Sequence, residues 1–281
     1  MIELDIDSIC RRIAVQSPYF GFRSLRQNKH GAIEGEFTPE QPLGHERGPV
    51  ATAEVGRHLA ILGSCAAACS HSDRIYYLAT EAHYTQFRQP NAVRFGQPMW
   101  ATAEVLEHDR RGLLAQAVLS DNAPFVHLRV RYLALAEAVF ERLFHSHRLE
   151  TDEHVGPSPY ASLLPLAFDE PNDRSLTARG TLRPECCAGH FPDYPSWPVA
   201  IIGYNAVRVM ERLLHHIAGN EAEYTIISAS IASYKLVSAA SPLLFRATCT
   251  SASKGLSHYA FSCLVLCGEE KVARFTTEMR L

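Results

Sequence analysis

The chain has 281 residues, 47% of them apolar and 20% charged, with a formal net charge of −3. That is enough for one large core or for two domains of about 140 residues each. Lys and Arg are scattered without a basic run, which argues against nucleic acid or an anionic membrane as partner. The longest apolar stretch, Leu59 to Cys69, is too short to span a bilayer, and the opening MIELDIDSICRRIAV places acids ahead of any apolar run. A soluble cytoplasmic protein is expected.

Taken in chain order, the sequence repeats itself. Residues 35–45 read GEFTPEQPLGH and residues 180–190 read GTLRPECCAGH, both fitting G-x-x-x-P-E-x-x-x-G-H. After each His a short loop leads to Pro-Val-Ala, at Pro49–Ala51 and at Pro198–Ala200, and then to a long apolar segment. The two halves of the chain therefore carry the same order of elements. A helix is predicted to start near Pro49 and to run through VATAEVGRHLAILGSCAAAC, with Val55, Leu59, Leu62 and Ala66 on one stripe. Its counterpart starts near Pro198 and ends at Gly219-Asn220. Both are apolar nearly all round in their first turns, which implies burial on most sides.

Strands are predicted after the first helix at 74–88, 95–108, 111–120 and 124–135, with a turn at Asp109-Arg110. A linking helix follows at 136–147. The stretch 150–175, rich in Pro, Asp, Glu and Ser, reads as the linker. In the second half strands are predicted at 223–237, 242–252, 256–267 and 270–281. The alternation is plainest in HYAFSCLVL, where Tyr259, Phe261, Cys263 and Val265 share a face. The eight cysteines form no CxxC pair and are expected to be reduced and buried, and no metal site is expected.

A strand, a buried helix and a run of long antiparallel strands, given twice, predict an α+β fold. In it two curved antiparallel sheets each wrap round a long central helix and pair side by side. The expected bounds are 1–148 for the N-terminal unit with its extension and linking helix, 149–175 for the linker, and 176–281 for the C-terminal unit.

The pattern resembles the hotdog superfamily in its double-hotdog form. His190-Phe191-Pro192, followed by Pro195, Pro198 and the apolar helix, is similar to the H-F-P-G-x-P-x-x-P segment of β-hydroxyacyl-ACP dehydratases. Asp193 and Val199 stand where that family has Gly. The resemblance implies a His working with a helix carboxylate of the partner hotdog, fourteen positions after that hotdog's own His. Position 204 is Tyr, with Asn205 beside it. In the N-terminal half His45 is followed by Glu46-Arg47-Gly48, but the helix carries Glu54, one position early. The resemblance thus implies one composite site of His190 with Glu54, and a second, degenerate one of His45 with Tyr204 or Asn205.

At such a site His190 would remove the α-proton of a β-hydroxyacyl thioester and the Glu54 carboxyl would assist the leaving hydroxyl. Helix-start N–H groups near Val199 or Val50 would hold the thioester oxygen. Gly189, Phe191, Pro192, Trp197, Val199 and His58 are expected to contact substrate. No cofactor is expected beyond the phosphopantetheine arm of an acyl carrier protein or CoA that carries the acyl group.

The leading expectation is a thioester dehydratase, a hydro-lyase of fatty-acid-like or polyketide-like synthesis. The alternatives are an acyl-CoA or acyl-ACP thioesterase, with Glu54 directing water, and a non-catalytic module that binds an acyl chain or carrier protein beside a synthase. A monomer of two hotdogs and a homodimer are both compatible with the sequence.

Overall fold

The computed structural model describes residues 1–90, 94–109, 112–149 and 156–281. The N-terminal half contains β1 (Ile2–Glu3), α1 (Ile6–Ile13), β2 (Phe22–Gln27), β3 (Ile33–Phe37), α2 (Thr52–Ala68), β4 (Ile75–Gln86), β5 (Met99–Asp109), β6 (Gly112–Ser120), β7 (Pro124–Ala136) and α3 (Glu137–Phe144). The C-terminal half contains β8 (Leu166–Phe168), β9 (Ser175–Gly180), α4 (Val199–Ala218), β10 (Thr225–Ser233), β11 (Leu243–Ser253), β12 (His258–Cys267) and β13 (Glu270–Arg280).

The two long helices explain the rest. α2 exposes no residue to solvent, and only Ala53, Gly56, Ala60 and Ala66 are even half-buried. A helix without a polar face has to be covered on every side. α2 packs against β3, β5, β6 and β7, α4 against β9, β11 and β12, and the helices touch each other. The strands form a single antiparallel sheet in the order β1-β2-β3-β5-β6-β7-β4-β10-β13-β12-β11-β9-β8. The two halves join where β4 pairs with β10, from Thr85 opposite Ser228 to Glu81 opposite Ala232. The architecture is α+β, as the repeat predicts, and each half carries one long helix against its own strands.

Both copies of the repeat lead from a strand end through a loop into a helix, but the helix starts differ. α4 begins directly after Pro198 and α2 three residues after Pro49. The reason lies in Glu46, whose carboxylate accepts the Thr52 N–H at 2.9 Å. It supplies the cap that Ala51 at the helix boundary lacks.

The alternation expected in β12 holds for Tyr259, Phe261, Cys263 and Val265, all buried. An irregularity in the pairing between Val265 and Leu266 then shifts the pattern, and Cys267 is only half-buried. All eight cysteines are free; Cys65, Cys187, Cys249 and Cys263 are buried and the other four half-buried. α1 was not expected. Ile6, Ile9 and Ile13 recur at helical spacing, Asp5 caps the helix by accepting the Asp7 N–H at 3.2 Å, and Ile9 and Ile13 are buried. The stretch read as linker carries β8, which pairs with β9, and a buried Tyr160. Arg110 of the expected turn and residues 150–155 of the linker lie outside the described residues. Among the described residues no helix is long and apolar enough to cross a membrane.

The loop between β9 and α4 holds the Gly-His-Phe-Pro segment. Phe191 and Asp193 adopt left-handed backbone, at φ 51° and 66°. Asp tolerates that region better than most residues, so Asp193 fills the place of a glycine without changing the turn. Gly189, at φ 81°, is more constrained. A Cβ there would lie 2.1 Å from the Gln16 carbonyl oxygen and 2.8 Å from the Tyr19 nitrogen. The N-terminal segment presses on this loop through a hydrogen bond from Gln16 N–H to the Gly189 carbonyl at 2.8 Å. Gly189→Ala therefore has to displace backbone, and we expect a loss of at least about 2 kcal/mol of unfolding free energy in urea titrations.

Candidate active site

A cavity of about 350 Å³ lies between α2 and α4, against the strands where the halves meet. Its wall on the α2 side includes the half-buried stripe of small residues, Ala53, Gly56 and Ala60. A side chain on Gly56 would meet nothing within 4 Å. Most of the remaining wall is aliphatic or aromatic, which suits an acyl chain. Among the described residues no Asp or Glu lines it.

His190 lines this cavity and is buried. Its ring stands edge-on to Tyr19, at 4.8 Å between centroids, and tilts over Phe191 at 4.0 Å. Nδ1 is buried with no hydrogen-bond partner. Burial pulls the imidazole pKa down to about 3, outweighing an upward pull from the nearby Ser196 backbone. The ring is therefore neutral at physiological pH.

Glu54 is not brought to His190 in the expected way: it does not line the cavity. Its fully buried carboxylate accepts the N–H groups of Glu40 at 2.8 Å and Gln41 at 3.0 Å, with Arg57 Nη2 3.4 Å away. Burial raises its carboxyl pKa, but the His58 ring, the Arg57 guanidinium and the Glu40 N–H outweigh it and hold the pKa below the usual value. Glu54 is a charged, fully partnered clamp on the loop before α2. A helix residue's neighbours three and four positions on, here Arg57 and His58, share its face, and the face with Glu54 turns to that loop. His58 also misses the cavity. It stacks on Phe37 at 4.1 Å, and burial lowers its pKa to about 4.

Of the other expected contacts, Phe191, Trp197 and Val199 line the cavity, and Gly189 and Pro192 do not. The Trp197 indole N–H donates to the Ser241 carbonyl at 2.9 Å. His45 is half-exposed and its Nδ1 lies 2.7 Å from Glu211. The Tyr204 hydroxyl donates to the Pro42 carbonyl at 2.8 Å, and Asn205 bonds the Ile201 carbonyl and Arg208. None of these three lines the cavity.

Six residues that the sequence does not assign to the site shape it. Arg57 lines the cavity while its Nη2 donates to Glu40 at 2.6 Å; its Nε and Nη1 are buried without partners. The guanidinium lies over Tyr160, 4.9 Å from the ring centroid, and Tyr160 packs edge-on against Tyr19 at 5.1 Å. Thr52 and Tyr84 also line the cavity, and the Thr52 hydroxyl donates to the Glu46 carboxylate at 2.5 Å. Glu46 itself is buried. Burial raises its carboxyl pKa to about 7, two hydrogen bonds from Thr52 lower it, and the nearby Glu211 charge raises it. The one signal available in the sequence was Glu46 directly after a His at a helix start. Nothing in the chain order links Tyr19 or Tyr160 to Arg57.

No family model and no curated protein sequence matches the chain. Solved structures do. A tesB protein of Mycobacterium avium subspecies paratuberculosis superposes with a TM-score of 0.61 at 12% identity, covering 91% of this chain and 94% of the other. A conserved protein of unknown function with a hotdog fold from Alicyclobacillus acidocaldarius gives 0.56 at 12%, covering 95% and 98%. The fold is a double hotdog. The 12:0-ACP thioesterase of Umbellularia californica is likewise similar, with a TM-score of 0.59 at 11% identity over 94% of this chain and 99% of that one. In this double hotdog His190 and Arg57, each with a buried nitrogen that has no hydrogen-bond partner, both line the cavity between the two central helices.

Burial of a neutral His has a thermodynamic signature. The folded pKa of His190, about 3, lies below the ordinary 6.5, so the unfolded chain binds more protons on acidification. Its contribution to stability is complete above pH 6.5 and is lost as the pH falls toward 3. His58, at about 4, acts in the same direction, and Glu46, raised to about 7, acts in the opposite one. Comparing unfolding free energies at pH 7 and pH 5 isolates His190. Wild type should lose on the order of 1–2 kcal/mol more than His190→Gln over that interval.

Proposed function

We propose that the protein is an acyl-thioester hydrolase that holds its acyl chain in the cavity between α2 and α4. The observation that carries the reading is the coincidence of an apolar cavity with buried, partnerless nitrogens on His190 and Arg57. Buried polar groups without partners are rare in folded proteins, and a ligand carbonyl is a fitting partner for them. The guanidinium N–H groups of Arg57 stabilise the oxyanion that forms on the thioester, with the neutral His190 ring, which shares Tyr19 as a neighbour, lining the same cavity.

Water is held by the Thr52 hydroxyl, which is itself bonded to Glu46. As water attacks the carbonyl carbon, Thr52 Oγ1 takes its proton and passes its own to the Glu46 carboxylate. The C–S bond then breaks, and the departing thiolate collects that proton, leaving a free acid and the thiol of CoA or of a carrier protein. The solved structures reported above include one described as a 12:0-ACP thioesterase, which agrees with this chemistry. Dehydration asks for a carboxyl group beside the His, and the cavity wall offers none among the described residues.

Thiol release from a panel of acyl-CoA and acyl-carrier-protein substrates tests the proposal. Thr52→Val should lower kcat/KM by about 100-fold or more while Thr52→Ser keeps most of it. Water loss from a β-hydroxyacyl thioester, without thiol release, would contradict the reading. The same panel examines the placement of the chain. Gly56→Leu puts a side chain into open space in the cavity, so it should shift the preferred acyl chain to a shorter one while the protein stays folded.

A further inference from the structure

The loop that follows the first repeat meets α4 at a second group of polar side chains, outside the cavity. His45 from that loop faces Glu211 and His215, which are one turn apart on one face of α4. One candidate ligand atom from each lies within 4.8 Å of the other two. From this arrangement we infer a binding site for a divalent transition-metal ion of the zinc class, formed by His45, Glu211 and His215.

Each ligand is oriented by a further contact. His215 Nε2 lies 3.0 Å from the Ala222 carbonyl, to which it can only donate, so Nδ1 carries the free lone pair. Such a hydrogen bond to the distal nitrogen is what sets the tautomer of a metal-binding His. Glu211 is held by the Tyr224 hydroxyl, 3.4 Å from Oε2, which leaves Oε1 toward His45. His45 is 40% exposed at its side chain and its ring meets that of His215 edge-on at 4.7 Å. It has room to turn, and a tetrahedral ion with bonds of about 2.0–2.2 Å draws its ligand atoms to within about 3.5 Å of one another. Glu221 Oε2 lies 3.8 Å from His45 Nε2, the ring nitrogen away from Glu211, so water would complete the tetrahedral set on the solvent side.

The charges agree. Glu211, Glu221, Glu223 and the buried Glu46 gather here, and Arg47 is paired with Glu223. Two imidazoles and carboxylate favour zinc, cobalt or nickel over calcium or magnesium, which prefer all-oxygen sets. His45 and Glu211 stand 166 positions apart, so an ion here would tie the loop before α2 to the helix of the other half.

The site is independent of the proposed hydrolysis, and binding tests it directly. Tag-free protein, stripped with chelator, is titrated with Zn²⁺ by calorimetry and with Co²⁺ by visible absorption. One ion per chain is expected at micromolar or tighter Kd, with the intense visible bands of tetrahedral Co²⁺, and Mg²⁺ or Ca²⁺ should not compete. His45→Ala and His215→Ala should each weaken binding at least tenfold, whereas His216→Ala, on the exposed side of α4, should not. Circular dichroism of each variant separates lost ligands from lost fold; His45 is half-exposed, and its removal leaves the core intact. Absence of zinc binding to wild type, or binding that survives in both His45→Ala and His215→Ala, would overturn the site and leave His45 and Glu211 as a plain hydrogen-bonded pair.

Discussion

Two long helices, α2 with no exposed residue and α4 buried along most of its length, have to be enclosed, and most features of this protein follow from how that is done. A single helix against a flat sheet leaves half its surface in water. Here the sheet turns round each helix and the two helices close the remaining side against each other. Area removed from water in this way supplies the larger part of the stability of any such core. It also sets the terms for every polar side chain trapped inside. A buried charge has to find partners, and a buried neutral group that finds none marks a place where something else can bind.

Those terms separate the buried polar groups on and around α2. Glu54 is completely partnered by two backbone N–H groups and two neighbouring side chains, so it is spent on holding the loop. Arg57, on the same helix, is only partly satisfied and reaches the cavity with nitrogens to spare. Glu46 is buried with the Thr52 hydroxyl as one partner, and Thr52 opens onto the cavity. The electrostatic equipment of the proposed site is thus assembled from Glu46, Thr52 and Arg57 around one helix start, with His190 supplied by the other half. Packing decides which carboxylate is structural and which is available, and the side-chain type alone does not.

The architecture was largely legible in the sequence because its signals are periodic. The duplicated G-x-x-x-P-E-x-x-x-G-H segment, the two apolar helices and the alternating strands each report burial locally, and the observed α2, α4 and β4–β7 fall close to their expected places. α1 carries a short helical pattern of its own, Ile6, Ile9 and Ile13 behind the Asp5 cap, but it lies ahead of the repeat that organises the rest of the chain. The site was legible only in part. His190, Phe191, Trp197 and Val199 could be placed by the loop that carries them, and they line the cavity. Glu54 could not be judged from its position, since one residue of shift on a helix turns a side chain by about 100° and takes it from one neighbour to another. Tyr19, Tyr160 and Arg57 come from three distant segments and meet only in the folded chain. The same holds for His45, Glu211 and His215, which come together only because α4 lies beside the first loop.

The central claim is that the thioester sits between α2 and α4 with its carbonyl at the unpartnered nitrogens of His190 and Arg57. A crystal structure with a non-hydrolysable acyl thioester analogue tests it most directly. The account predicts the acyl chain along Ala53, Gly56 and Ala60, with the carbonyl oxygen within hydrogen-bond reach of Arg57 or His190. An acyl chain lodged elsewhere, or a carbonyl seated against Glu54 after that carboxylate had left the Glu40 and Gln41 N–H groups, would contradict it.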